Sequence, residues 1–134
     1  MVGIEEINQR LAEIKEAIGY LNELSEELIE NRDKFLLGRY FLQTMLEAMF
    51  SIGNQIISNN NLRKPGSYKD IISILVEANI IGKETGKKLT PFADLRNRLV
   101  HTYWKISQKE LLEIAKDLSP FTNYLEEIVT YIKK

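Results

Sequence analysis

The chain has 134 residues, 44% hydrophobic and 28% charged, with 18 Lys and Arg against 19 Asp and Glu for a formal net charge of −1. That length suits a single domain with a buried core, spanning residues 1–134, and the charge balance argues against a bulk electrostatic footprint for nucleic acid while allowing a local basic cleft. Cysteine is absent, which removes disulfides, thiolate nucleophiles and zinc–thiolate sites.

Taken in order, Ile4, Ile7, Leu11, Ile14, Ile18, Leu21, Leu24 and Leu28 recur at spacings of three and four, the pattern of one long amphipathic helix. Glu5 and Glu6 at its start do not resemble a signal peptide, and no apolar run reaches spanning length, so a cytoplasmic protein without membrane contact is expected. Asn31 or Asp33 can cap a second helix that runs to about Asn59. Its apolar residues, from Phe35 to Ile57, spread around most of the circumference, which predicts burial on several sides and a second copy of the chain against part of it. Arg39, Gln43, Glu47, Ser51, Asn54 and Gln55 interrupt that surface as one polar stripe, either solvated or lining a cleft.

Pro65-Gly66 marks a loop, and Ser67 or Tyr68 leads into a shorter helix ending near Ile81-Gly82. Lys83 to Lys88 reads as a polar helical turn, and Thr90-Pro91 as the cap and first position of a new helix. Ser107 to Glu110 has the form of a capping box for a last helix through Ile132, kinked or split at Ser119-Pro120. No β alternation, linker or repeat is present. The expected fold is all-α, an up-and-down bundle of four to five helices that dimerises.

Chemistry concentrates in Asp94 to Trp104, which holds the single His and the single Trp of the chain. If one helix carries the whole stretch, Leu95, Leu99 and Tyr103 face the core, while Asn97, His101 and Trp104 line a neighbouring face. Arg96 is then about 140° from His101 at about 100° per residue. The two converge if the helix loosens, if the Arg side chain wraps round, or if two chains share a cleft; the last is favoured. Arginine and histidine together suit phosphodiester chemistry. An imidazole titrates near neutrality and can move protons at a ribose 2′-hydroxyl or a leaving 5′-oxygen. A guanidinium can hold the scissile phosphate bidentately. Arg96 and His101 are therefore the candidate catalytic residues, with Asn97 and Arg98 candidates for positioning substrate and no metal or cofactor required. A partly buried His beside surface arginines reads the same residues without chemistry.

Arg96-Asn97-Arg98-Leu99-Val100-His101-Thr102-Tyr103 fits the Arg-x4-His-x-Tyr motif of HEPN domains, and the chain resembles the HepT-like family, ribonuclease toxins encoded beside a minimal nucleotidyltransferase antitoxin. Arg39-Tyr40 to Ile56-Ile57 is similar to the family's second helix, and Tyr68 to Ile81 and Arg96 to Ile106 follow its later segments. The resemblance implies a dimer, alone or within a higher assembly, with Arg96 and His101 of both chains at a composite cleft. It implies metal-independent RNA cleavage by 2′-hydroxyl attack. It also implies silencing by transfer of AMP to Tyr103, which would fill the cleft with anionic groups and occupy the arginines. Many relatives carry an acid and a histidine on the second helix where Ser51 and Gln55 stand here. That departure keeps an alternative in view: a non-catalytic HEPN module that scaffolds a nucleotidyltransferase or binds a nucleotide. A third reading is a structural helical dimer with a chance motif.

Overall fold

The computed structural model of the protein describes residues 3–100 and 106–134. Within them the chain forms seven helices: α1 (Ile4–Asn22), α2 (Glu26–Glu30), α3 (Arg32–Asn59), α4 (Tyr68–Glu77), α5 (Lys83–Leu99), α6 (Gln108–Lys116) and α7 (Ser119–Ile132). No strand occurs among the described residues, so the all-α expectation holds. None of these helices is long and apolar enough to cross a membrane.

The count exceeds five because two expected helices break. The first ends at Asn22, and Ser25 caps a short α2 by accepting a hydrogen bond from the Leu28 amide at 3.1 Å. A serine that bonds a backbone amide competes with helix continuation. The break also moves the last two repeats off the stripe. Leu24 comes within 3.0 Å of where a Cβ on Gly38 would sit, and Leu28 stays 40% exposed. The second break is the expected one: Asp117 accepts from the Ser119 amide and hydroxyl, and Pro120 opens α7.

Asn31 caps α3, accepting from the Lys34 amide, and the helix ends at Asn59. It packs against α1, α2, α4, α5 and α6, so it is the central helix of the fold. The sequence predicts burial on several sides, and the chain itself supplies most of that burial. Most of its apolar circumference is satisfied within the chain, and the exposed remainder is Leu36, Leu37 and Tyr40 near its start. α7 reaches it as well, where the buried Tyr124 hydroxyl donates to the Met49 carbonyl at 2.8 Å. Burial pushes that phenol far above its ordinary value, so it stays a donor.

Two glycines let α4 lie close to its neighbours. A Cβ on Gly53 of α3 would stand 2.7 Å from Ile71 Cγ2, and one on Gly86 of α5 would stand 2.5 Å from Val76 Cγ2. α5 begins at Lys83 and not at Thr90. Gly82 has no side chain to cap it, but Glu127 of α7 accepts from the Gly82 amide and the Thr85 hydroxyl. That tertiary carboxylate supplies the cap and complements the helix dipole. Pro91 therefore lies inside α5, and Thr90 turns its hydroxyl back to the Gly86 carbonyl at 2.8 Å instead of capping.

Candidate functional site

Arg96 occupies the last turn of α5, where a cation also favours the helix C-terminus. Its guanidinium carbon lies 4.4 Å from the centroid of the Tyr68 ring, the first residue of α4. The Tyr68 ring in turn packs on Phe50 of α3, with centroids 4.9 Å apart and planes at 56°. A cation over an aromatic face is stabilised by about 1–2 kcal/mol when partly desolvated. Three helices thus meet at one guanidinium. Its Nε is buried and has no hydrogen-bond partner among the described residues. No carboxylate among them lies within ion-pair distance of it either.

This guanidinium borders an open cleft of ≈ 390 Å³ between α3, α4 and α5. Glu47, Ser51 and Asn54 of α3 form one wall, and Tyr68 and Ile71 of α4 another. The polar stripe on α3 is therefore a cleft wall for these three residues. Gln43 supports it, donating to Glu47 at 3.4 Å. Gln55 turns elsewhere, donating to Asn59 at 3.1 Å and lying against Gly3 at the start of α1. Of the two positions that the family resemblance marks as departures, Ser51 lines the cleft and Gln55 does not.

The loop that delivers Tyr68 is tied down by Asp70. Its carboxylate accepts from the Gly66 amide at 2.8 Å and pairs with Arg63 at 2.9 Å, while Arg63 also grips Glu77 at 2.7 Å. The Gly66 amide, then Arg63, hold the Asp70 carboxyl below its usual range. Ser67 caps α4 by accepting from the Asp70 amide. Lys69 reaches Asp94 at 3.3 Å, linking the start of α4 to the turn of α5 that carries Arg96.

The other candidates fall elsewhere. Arg98 is about 200° round α5 from Arg96; it pairs with Glu110 of α6 at 3.0 Å and lines a different cleft, beside Phe92 and Leu95. Within one chain it is not brought to the Arg96 cleft. Asn97 is exposed. α5 ends at Leu99 with Val100 as its C-cap, short of the single helix through Trp104 that the sequence suggests. His101 and Tyr103 lie outside the described residues. Sequence reading did not single out Tyr68. Its local signal is only a tyrosine following a capping serine, and its contact with Arg96 bridges 28 positions of chain.

A family model described as ribonuclease HepT-like matches residues 7–128. The chain is 27% identical over 114 residues to a tRNA nuclease HepT from Aphanizomenon flos-aquae, covering 84% of this chain and 72% of that protein. It is 32% identical over 72 residues to a putative RNase, YutE, from Bacillus subtilis, covering 54% of this chain and 50% of the relative's own length. The solved structure of YutE superposes with a TM-score of 0.87 at 22% identity, covering 96% of this chain and 90% of that one. A tri-AMPylated Shewanella oneidensis HEPN toxin, solved in complex with an MNT antitoxin, superposes at 0.81 and 23% identity, covering 92% and 96%. At these identities the superpositions speak for the fold.

Proposed function

The chain belongs to the ribonuclease HepT-like family, and from that premise we propose that it is an endoribonuclease toxin held in check by a nucleotidyltransferase antitoxin. In this reading RNA brings its own nucleophile. The His101 imidazole takes the proton of a ribose 2′-hydroxyl, the 2′-oxygen bonds to phosphorus, and the bond to the 5′-oxygen breaks. An imidazolium returns a proton to that leaving oxygen, so one product ends in a 2′,3′-cyclic phosphate and the other in a 5′-hydroxyl. Arg96 holds the non-bridging oxygens and offsets the charge of the pentacoordinate state. No metal takes part. Asn97 orients the phosphate or the imidazole, and two copies of the chain complete the cleft. Arg98, paired to Glu110 within its own chain, reaches substrate only if the second copy brings the RNA to that side.

The observation that carries this reading is the state of Arg96: a guanidinium at the edge of an open polar cleft, with no carboxylate among the described residues to neutralise it. RNA as substrate is supported by the tRNA nuclease among the relatives. The antitoxin, and AMP on Tyr103 as its means of silencing, are supported by the Shewanella structure, an AMPylated toxin in complex with its antitoxin. One observation favours the non-catalytic scaffold instead. Glu47 places a carboxylate on the same cleft wall, where it opposes an anionic backbone.

Incubating the purified protein with RNA in the presence of a chelator separates the two. The enzyme reading expects cleavage with cyclic-phosphate ends, lost in His101→Ala. Cleavage that survives His101→Ala, or that leaves 3′-hydroxyl ends, contradicts the mechanism. Absence of cleavage by a folded, antitoxin-binding protein favours the scaffold.

A further inference from the structure

We propose that Tyr68 is a positioning residue of the Arg96 site: its ring face, backed by Phe50, fixes the plane in which the guanidinium presents itself to a phosphate. The proposal rests on the reading of Arg96 given above and adds a second residue to it.

Arginine has four side-chain torsions, and an unpartnered one samples many of them. Catalytic guanidinium groups are commonly oriented by a carboxylate that accepts from Nε and leaves the terminal nitrogens aimed at substrate. Among the described residues that device is missing. Nε is buried without a hydrogen-bond partner, and no carboxylate among the described residues pairs with the group. What touches the guanidinium is the Tyr68 ring, 4.4 Å from its central carbon. An aromatic face attracts the cation without consuming an N–H and without neutralising its charge. It therefore orients Arg96 while leaving the terminal nitrogens and the full positive charge for the ligand.

The platform is itself rigid. Phe50 is 3% exposed and packs on the ring with centroids 4.9 Å apart, which restrains Tyr68 on that side. Its backbone starts α4 under the Ser67 cap, and the Asp70 contact to the Gly66 amide holds the incoming loop. The exposed Lys69–Asp94 pair links the start of α4 to the turn of α5 that carries Arg96. The function requires the ring and not the hydroxyl.

The test compares Tyr68→Phe and Tyr68→Leu for RNA cleavage and follows the Arg96 Nε–H proton by NMR. Tyr68→Phe should cleave within about threefold of wild type, while Tyr68→Leu should lose about tenfold or more, the order a partly desolvated cation–π contact supports. In the wild type and in Tyr68→Phe the Nε–H resonance should be displaced upfield by the ring and show cross-relaxation to its protons; in Tyr68→Leu the displacement should vanish. Wild-type cleavage by Tyr68→Leu overturns the proposal. So does a wild-type Nε–H resonance lying with those of the other arginines, a measurement that stands even if Tyr68→Leu does not fold. If Arg96→Ala cleaves like wild type, the reading of Arg96 falls instead, and the resonance still reports whether Tyr68 holds the guanidinium.

Discussion

Arg96 and Arg98 stand two residues apart on α5 and serve different neighbours: the first lies 4.4 Å from the Tyr68 ring of α4, the second pairs with Glu110 of α6 at 3.0 Å. Helical geometry forces the separation, since two steps of about 100° carry a side chain to the opposite face. One cation is thereby left at a cleft with no ion-pair partner among the described residues, and the other joins α5 to α6. Arg98 is exposed and Arg96 only partly so, and of the two only Arg96 borders the polar cleft between α3, α4 and α5.

α4 and α5 approach closely at Gly86, so Gly86→Ala should be destabilising despite the better helix propensity of alanine. The propensity gain is about 1 kcal/mol. Against it, the new Cβ would stand 2.5 Å from Val76 Cγ2, a stiff β-branched side chain, and overpacking of that kind costs about 1–3 kcal/mol. Denaturant unfolding should show a net loss, relieved by adding Val76→Ala. A Gly86→Ala protein more stable than wild type would show that the two helices are not in contact there.

Asp70 links stability to pH. Its carboxyl is held below the ordinary range, first by the Gly66 amide and then by Arg63. A depressed folded-state value favours the folded protein once the unfolded carboxyl has ionised, so the contribution is complete above about pH 4. It is lost as the pH falls through the depressed folded value. Asp117, lowered by the Ser119 hydroxyl and amide, acts in the same direction. Melting temperatures of wild type and Asp70→Asn should differ at neutral pH and converge in acid. A gap that stays constant with pH would remove the carboxylate from the account.

Much of this architecture is legible in the sequence, for reasons that are local. Asn31, one of the two caps the sequence offers, starts α3, which ends at Asn59 as expected, and the Ser107 cap accepts from the Glu110 amide as its spacing predicts. What escapes is tertiary. Thr90-Pro91 is a sound local start signal, but Glu127 caps the helix from a distance and starts it at Lys83. The apolar girth of α3 points to a partner chain, whereas five helices of its own chain cover most of it. At the site, Arg96 is found by its motif. Tyr68 is not, because a ring that orients a cation has no spacing rule relative to it.

The proposed antitoxin transfers AMP to Tyr103, so co-expression with the cognate nucleotidyltransferase should add one or more AMP masses to the toxin, and Tyr103→Phe should abolish the adduct. Peptide mass spectrometry locates it. An adduct on another tyrosine, such as the exposed Tyr40, would move the off-switch away from the motif.

Dimerisation is expected to cover what α3 leaves bare. Leu37 is 42% exposed and Tyr40 is 60% exposed, on a helix otherwise buried. Leu37→Glu combined with Tyr40→Glu should shift the protein toward monomer in sedimentation experiments, with little effect on the fold of each chain. A double variant that remains dimeric would place the interface on another face.

The most direct test of the central claim is a matched comparison of RNA cleavage by Arg96→Ala and Arg98→Ala. Loss of a preorganised charge donor at a reacting phosphate costs about 100-fold or more, whereas loss of a half-exposed ion pair costs at most about 1 kcal/mol of stability. Arg96→Ala should therefore lose about 100-fold in rate while remaining folded, and Arg98→Ala should cleave within about threefold of wild type. Equal losses, or a larger loss in Arg98→Ala, would contradict the assignment of the phosphate to the cleft beside Tyr68.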